Sequence, residues 1–338
     1  MTVRVGVIGT GIMGADHVNT LHRMVSGAQV SMVADVDLAR AQDVAARVPG
    51  VRATADGFAV IHDGAVDAIV VASRDSTHAA LAIAAARAGK PVLCEKPLAP
   101  TVAECAQVVA AEVAAVGAGG LPLISVGFMR RFDPGYLQLK QAIADGAGGP
   151  PLLVHCISRG VGSAPGSTNE SSVTGSAIHE FDVLPWLLGA PITEVSWHAP
   201  RPSSTVGEAD GFQDPQLILL RTADGVLSTV EVFLNARYGY DVRCEIVCEQ
   251  GTLALIEPAR MITDRHRGRS IGYPADWRAR FADAYRLELQ AWIDSIVAGT
   301  RSSLASAHDA LLAGAVAEAV IASMRAGGTT FAVDAPVG

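Results

Sequence analysis

The sequence contains no run of about 20 apolar residues, the length that a helix needs to cross a membrane. Its alanine-rich segments, Ala79–Ala88, Ala106–Ala118 and Ala310–Ala322, carry polar residues at helical spacing. This pattern predicts the packed helices of a water-soluble protein. An apolar strand begins at residue 3, which leaves no space for a signal peptide before it. We therefore expect a cytoplasmic protein.

Basic residues are not in excess: the chain has 26 Lys and Arg and 34 Asp and Glu, which gives a net charge of −8. A chain this acidic is poorly suited to binding nucleic acid through a basic surface. The five cysteines are odd in number and scattered, without a second pair at metal-ligand spacing. We predict reduced core thiols, and neither a disulfide framework nor a metal site, for Cys94, Cys105, Cys156, Cys244 and Cys248.

The length of 338 residues is sufficient for two domains. Over the first 128 residues, apolar strands alternate with helical segments, which predicts a doubly wound parallel sheet of the Rossmann type. Strands joined by short turns then predict an α+β domain with a large, mostly antiparallel open sheet. Residues 160–174 predict a loop of active-site size. We place the domains at residues 1–126 and 127–338, with the option that the C-terminal helix packs back on the first.

A glycine-rich loop joins the first strand to the first helix within Val3–Gly14. In its G-x-G-x-x-G pattern the first glycine permits a tight turn, the second lets a pyrophosphate approach, and the third lets the helix pack near the strand. Asp35 follows 21 residues after Gly14, where a carboxylate binds a ribose and repels a 2′-phosphate. We predict NAD rather than NADP, with Arg40 as the one nearby cation that favours NADP. The predicted cofactor-binding residues are Gly9, Gly11, Ile12, Met13, Gly14, Asp35, Ser73, His78 and Glu95.

The triplet Glu95-Lys96-Pro97 follows the fourth predicted strand, at the edge of the sheet where such folds bind their ligands. A lysine at this place can act as an acid or a base on a hydroxyl group. An ordinary surface lysine beside a glutamate explains the same residues equally well. Pro97 fixes the turn, with a cis peptide bond as one option.

Five segments together resemble the glucose–fructose oxidoreductase and inositol dehydrogenase (Gfo/Idh/MocA) family. They are the Gly loop with Asp35, Glu95-Lys96-Pro97, Gly127–Asp133, His179–Asp182 and Asn235–Asp241, and the resemblance covers nearly the whole chain. The third and fifth segments are most similar to those of the family's inositol 2-dehydrogenases. The resemblance implies NAD-dependent oxidation of a secondary hydroxyl of a cyclitol or sugar. It also implies a homo-oligomer, a tetramer or a dimer, that associates through the second sheet.

The same resemblance implies roles for individual residues. Lys96 and His179 align with the catalytic lysine that handles the substrate hydroxyl and with the histidine that accepts its proton. For His155 a core histidine is the alternative, and for Arg130 and Tyr238 a structural role fits equally well. The predicted substrate-binding residues are Lys96, Arg130, His155, Gly175, His179 and Tyr238.

Three positions depart from the inositol dehydrogenase pattern. These enzymes usually carry an aspartate four residues before the catalytic histidine, where this chain has Gly175. A His-Arg-Asn string is expected where this chain has Ser158-Arg159-Gly160. Losing a hydrogen bond to a charged group costs about 1.5–3 kcal/mol, so we expect myo-inositol to bind about ten- to a hundredfold worse. A modified cyclitol, an amino-cyclitol or a differently shaped sugar then becomes a candidate substrate.

Two other functions fit the same residues. One is an NAD-dependent lyase or hydrolase that oxidises a sugar only transiently and releases no net NADH. The other is a non-catalytic NAD-binding sensor or scaffold, which Gly175 favours and the retained Lys96 and His179 oppose.

Overall fold

The computed structural model describes residues 2–117, 119–203, 211–255 and 261–334. Over these residues the chain forms two compact units, one within residues 2–132 and 283–314 and one within residues 133–282 and 315–334. The division falls after Phe132, whereas the predicted boundary lies at residue 126.

The first unit is built from alternating strands and helices, as predicted. Its elements are β1 (Val3–Ile8), α1 (Ile12–Met24), β2 (Ala28–Ala34), α2 (Leu38–Ala45), β3 (Arg52–Thr54), α3 (Gly57–His62), β4 (Ala68–Val71), α4 (His78–Arg87), β5 (Val92–Glu95), α5 (Val102–Val116) and β6 (Ile124–Gly127).

The strand order of the first sheet is β15-β6-β5-β4-β1-β2-β3, where β15 is a two-residue strand, Ala305–Ser306. All pairs are parallel except β15 with β6. The strand order reverses beside β1, at the place where doubly wound folds bind nucleotides. The helix α10 (Ala282–Ala298) also belongs here, because Leu289, Trp292 and Ile293 join the core formed by β1, β2 and α1. The predicted Rossmann domain is confirmed.

The second unit begins with α6 and contains most of the remaining strands. Its elements are α6 (Pro134–Ala144), β7 (Pro151–Arg159), α7 (Asn169–Ser172), α8 (Ile178–Leu188), β8 (Ile192–His198), β9 (Gln216–Thr222), β10 (Leu227–Phe233), β11 (Asp241–Cys248), β12 (Gly251–Ala254), β13 (Ile262–Arg265), β14 (Gly268–Ile271), α9 (Trp277–Arg280) and β16 (Phe331–Ala332). The helix α11 (Ala307–Arg325) contributes residues to both units.

The second sheet has the order β12-β11-β7-β10-β9-β8-β16 and is mostly antiparallel, as predicted. Its one exception among the described strands is the parallel pair of β7 and β10. The loop predicted over residues 160–174 contains α7 and continues into a π-helix, Val173–Ala177. The strand predicted at 252–256 corresponds to β12, and its last residue, Ile256, lies outside the described residues. Ala118, the last residue of the alanine-rich segment Ala106–Ala118, also lies outside them.

The two faces of the second sheet differ in burial. Alternate residues such as Val154, Cys156 and Val230 are buried, whereas their strand neighbours are exposed or half-buried. We call the less buried side the open face; on β7, β9 and β10 it consists of Leu153, His155, Ile157, Arg159, Leu217, Leu219, Arg221, Leu227, Thr229, Glu231 and Phe233.

One helix in the described part of the chain, α11, is long and apolar enough to cross a membrane by length and composition alone. Half of its apolar window, 50%, is buried within the protein, and the core helices of soluble proteins meet the same criteria. All five cysteines are buried free thiols, as predicted.

Candidate active site

Three glycines with different surroundings shape the loop between β1 and α1. Gly9 has a φ of +92°, and a Cβ there would lie 2.5 Å from the main chain of Ala72. A Cβ on Gly14 would lie 1.8 Å from the carbonyl oxygen of Gly9, so only glycine lets α1 pack this close to the turn. A Cβ on Gly11 meets nothing within 4 Å, which leaves the space beside its main chain open to a ligand.

The start of α1 offers main-chain donors to such a ligand. Gly11 is the residue before the helix, and no side chain caps it. The first N–H groups of a helix have no partner within the helix, and its dipole is positive at this end. A pyrophosphate is therefore the group that fits beside Gly11.

Asp35, at the end of β2, is buried and held by hydrogen bonds. Its Oδ2 accepts from the main-chain N of Thr10 at 2.9 Å and the Thr10 hydroxyl at 3.1 Å, and its Oδ1 accepts from the Asp37 amide at 3.0 Å. Burial alone would raise the pKa of Asp35, but these hydrogen bonds and the Arg40 charge bring that pKa below its ordinary value. Asp35 is thus ionised near neutral pH.

The charge of Arg40 is shared between two carboxylates. Its guanidinium lies 3.6 Å from Asp35 and 3.4 Å from Asp37. A 2′-phosphate in this place would meet both carboxylates, which offset the single nearby cation. The arrangement favours a free ribose hydroxyl and therefore NAD.

A cavity of about 710 Å³ opens beside Asp35 and the Gly loop. It brings together four of the predicted cofactor residues, Gly9, Gly11, Asp35 and Ser73. Ile12 lies on a smaller neighbouring cavity of about 450 Å³, Met13 is half-buried, and Gly14 is buried in the turn.

Sequence reasoning missed the apolar wall of this cavity. Val36 and Phe58 form it, and they are 94% and 45% exposed; the charged Arg74, also missed, lines the cavity as well. Val36 directly follows Asp35 in the sequence, and this position next to a predicted cofactor residue was the signal that could have found it. Phe58 belongs to α3, which was not predicted at all.

The Glu95-Lys96-Pro97 turn follows β5, and the Lys96–Pro97 peptide bond is cis. Lys96 is half-buried, whereas Glu95 is buried, with its Oε1 2.7 Å from His17 Nε2 and its Oε2 accepting from the main-chain N of Lys96 at 3.3 Å. Burial would raise the pKa of Glu95, but the hydrogen bond and charge of His17 bring it below the ordinary value.

His78 is buried at the start of α4, where it connects two loops. Its Nδ1 lies 2.7 Å from the carbonyl oxygen of Pro97, and its Nε2 lies 3.0 Å from that of Ser73. Both ring nitrogens are thus occupied by main-chain carbonyls. The structure places His78 and Glu95 outside the residues that line the cavity, and of the two only His78 contacts a lining residue, Ser73.

His179 is the second residue of α8 and is 7% exposed. The π-helix that precedes it contains Gly175, which is exposed, and a Cβ on Gly175 meets nothing within 4 Å. A larger side chain thus fits at Gly175. Asp182, which follows one turn after His179, is buried as well.

Of two other predicted substrate residues of the second unit, His155 lies on its open face and Tyr238 contacts Arg159 of that face. His155 is exposed there, with Nδ1 3.0 Å from the Thr229 hydroxyl. The Tyr238 hydroxyl contacts Asp241 and accepts from Arg159 at 3.2 Å. Arg130 belongs to the first unit, where it is 1% exposed in a 3₁₀ turn, Met129–Phe132.

Metal ligands are not clustered in the described ranges, where no group of three or more His, Cys, Asp and Glu side chains could hold an ion.

Two family profiles match the chain. Residues 3–116 match the GFO_IDH_MocA profile, described as an oxidoreductase family with an NAD-binding Rossmann fold, and residues 136–254 match the GFO/IDH/MocA C-terminal domain.

Named relatives are similar over nearly the full length. Inositol 2-dehydrogenase 2 of Paenarthrobacter aurescens is 53% identical over 98% of this chain and 99% of that protein. Inositol 2-dehydrogenase 1 of Saccharopolyspora erythraea is 49% identical over 97% and 95%. The crystal structure of myo-inositol dehydrogenase from Lactobacillus casei in complex with NAD(H) and myo-inositol has a TM-score of 0.92 to this chain, at 32% identity over 100% and 98% of the two chains.

Proposed function

The chain belongs to the Gfo/Idh/MocA oxidoreductase family, and from that membership we propose that it oxidises a secondary hydroxyl of an inositol-type cyclitol. It is an NAD-dependent oxidoreductase acting on CH–OH groups. The observation that carries the proposal is the placement of the Gly loop, Asp35 and Lys96 after the carboxyl ends of β1, β2 and β5, which meet at one edge of the parallel sheet.

The cofactor site fits NAD through this chain's own groups. The open main chain at Gly11 and the uncapped start of α1 bind the pyrophosphate, and the ionised Asp35 binds the adenosine ribose. Bound NAD⁺ supplies the hydride acceptor. The chain must then bind and orient the alcohol and remove its hydroxyl proton.

We assign the proton transfer to Lys96 and His179. The Lys96 ammonium donates a hydrogen bond to the substrate oxygen and stabilises negative charge that develops on it. His179 accepts the hydroxyl proton at a ring nitrogen, because a neutral imidazole is a base near neutral pH. We also assign Arg130 a role in binding the substrate.

The precise cyclitol is set by positions that differ from the inositol dehydrogenase pattern. Ser158, Gly160 and Gly175 offer fewer charged or amide groups to substrate hydroxyls than aspartate and asparagine would. In such a pocket, a substrate with fewer or differently placed hydroxyl groups than myo-inositol leaves fewer hydroxyl groups without a hydrogen-bond partner. We therefore propose a modified cyclitol or an amino-cyclitol beside myo-inositol itself.

The test is a panel of cyclitols and sugars with NAD⁺, read by NADH absorbance. Lys96→Met and His179→Ala are expected to lower kcat on the best substrate by about a hundredfold or more, because each removes a proton-transfer group. Near-wild-type kcat in both variants would show that the assignment is wrong.

Matched controls separate this loss from general damage. Lys90→Met and His22→Gln change a lysine and an exposed histidine that lie outside the described site, and both should keep their activity. NAD binding without turnover on the whole panel would instead indicate a sensor, and turnover without net NADH would indicate a lyase or hydrolase.

We also propose a homo-oligomer, a tetramer or a dimer, that associates through the open face. Leu153, Ile157, Leu219 and Phe233 are half-buried on this face, and Leu217 is 36% exposed. Such a patch on a regular sheet is typical of an interface. A cytoplasmic location is part of the same proposal and agrees with five free thiols.

A further inference from the structure

The carboxylate of Glu95 is enclosed from several sides although it lies next to a proposed catalytic lysine. Glu95 is 7% exposed and His17, on α1, is 0% exposed. The ring of Tyr285 from α10 meets the His17 ring edge-on, with centroids 6.0 Å apart. A buried charge is costly unless it is hydrogen-bonded, so a buried His–Glu pair at this place suggests a function that offsets the cost.

Gly127 makes the space for this carboxylate. It is the residue of β6 that lies opposite Glu95 in the parallel pair of β5 and β6. A Cβ on Gly127 would lie 3.3 Å from the Glu95 carboxyl carbon and from Oε1, closer than a comfortable contact. The sheet thus leaves a slot of the right size for an ionised side chain at the end of β5.

We propose that the His17–Glu95 pair is a positioning pair for Lys96: His17 fixes the carboxylate, which holds the Lys96 main chain and keeps a negative charge beside the Lys96 ammonium. The inference rests on the proposed function of Lys96. It explains why a motif residue, Glu95, and a helix residue, His17, are paired in the interior although neither lines the cofactor cavity.

The direction of the hydrogen bond follows from the charge of Glu95. The pKa of Glu95 lies below its ordinary value, so the group is ionised and its oxygens can only accept. His17 Nε2 therefore donates at 2.7 Å, and the Lys96 amide donates at 3.3 Å to the other oxygen. One oxygen is held from α1, and the other holds the turn that carries Lys96.

The titratable groups that act on Glu95 come from three elements. Of these, Lys96 after β5 carries a positive charge, and the other two are the imidazoles of His17 on α1 and His78 on α4. The neighbouring Cys94 stays a neutral thiol, because burial raises its pKa well above the ordinary value. Glu95 is thus the negative charge in this group, and its removal should make Lys96 release its proton at lower pH.

The chain is well suited to a direct test, because Lys90, Lys96 and Lys140 are its only lysines. Competitive acetylation of the NAD⁺-bound enzyme across a pH series, read by peptide mass spectrometry, gives the titration midpoint of each lysine without turnover. Glu95→Gln should lower the Lys96 midpoint by about one pH unit, and Lys140 should not change.

Two substitutions at His17 separate positioning from bulk packing. His17→Gln keeps a donor near Nε2 and should preserve the Lys96 midpoint. His17→Leu removes the donor, so burial raises the proton affinity of Glu95, its charge is lost, and the Lys96 midpoint should fall as in Glu95→Gln. His22→Gln on the exposed side of α1 is the matched control. In Glu95→Gln, kcat should fall about tenfold from misplacement of Lys96, with the NAD⁺ KM nearly unchanged.

The result that overturns the inference is an unchanged Lys96 midpoint in a Glu95→Gln enzyme that folds and binds NAD⁺. If that variant does not fold, His17→Leu and Gly127→Ala, which crowds the carboxylate, carry the same test. Near-wild-type kcat in Lys96→Met would refute the proposed catalytic role of Lys96 instead, while the labelling result would still decide whether Glu95 and His17 position Lys96.

Discussion

At the scale of single residues, one buried carboxylate carries our prediction of the preferred cofactor. Asp35 accepts three hydrogen bonds from Thr10 and Asp37 and is ionised because they outweigh its burial. These hydrogen bonds fix the Asp35 side chain, so its carboxylate cannot rotate to increase its distance from a 2′-phosphate. Arg40 does not offset this, because Asp37 shares its charge.

We predict that NAD⁺ is preferred to NADP⁺ by on the order of a hundredfold in kcat/KM, since a like charge placed opposite Asp35 costs several kcal/mol. Asp35→Asn keeps an oxygen that accepts from Thr10 but removes the charge, so it should reduce this preference by about tenfold or more. Steady-state kinetics with both cofactors measure the ratio. A wild-type enzyme that works better with NADP⁺ would contradict the role of Asp35.

At the scale of helices and strands, local signals predicted much of the fold. The Gly loop, the alternation of strands and helices and the tight turns each depend on neighbouring residues, and β1, α1, β9 and β10 were found as expected. The short elements β3 and α3 were missed, because three- and six-residue segments contain too few residues to show a period.

Pairing between distant strands has no local signal. Hairpin turns predicted only antiparallel neighbours, yet β7 lies between β10 and β11 and is parallel to β10. The candidate active site likewise contains contacts between distant residues that the sequence did not predict. Asp35 and the Gly loop were predicted from spacing, whereas the partnership of His17 and Glu95, 78 residues apart, depends on the packing of α1 against the sheet.

The π-helix before α8 precedes His179, one of the two residues to which we assign the proton transfer. Val173–Ala177 adds a wider turn directly before His179, and Gly175 lies within it. Single π turns inside helices are frequently found at functional sites. Because Gly175 is exposed and a Cβ there meets nothing within 4 Å, the turn accepts a side chain without rearrangement.

We therefore predict that Gly175→Asp raises kcat/KM for myo-inositol by about tenfold, which corresponds to one recovered charge-assisted hydrogen bond of about 1.5 kcal/mol. Gly175→Ala is the matched control, because it stiffens the turn without adding a carboxylate and should give no gain. Kinetics on myo-inositol compare the three enzymes. Equal activity of all three would mean that the pocket differs from the inositol dehydrogenases more widely than at this position.

At the scale of the whole molecule, the two faces of the second sheet have different tasks. The buried face carries an apolar core with Val154, Cys156, Ile218 and Val230. The open face combines leucines and isoleucine with an ion pair of Arg159 and Glu231 at 2.6 Å. Half-buried apolar residues in regular array on one sheet face are what an interface between copies would cover.

We predict that the protein is a homo-oligomer in solution and that Leu217→Arg dissociates it. Leu217 is 36% exposed and lies opposite Glu231, so a single subunit tolerates an arginine there. In a two-fold interface two such guanidinium groups lose their water, and each competes with Arg159 for the single Glu231 carboxylate of its subunit, which costs several kcal/mol. Val113→Arg, at a 62% exposed position on α5, is the matched control and should keep the assembly. Size-exclusion chromatography with light scattering gives the mass of each. A wild-type mass equal to one chain, or an unchanged assembly in Leu217→Arg, would exclude the open face as the interface.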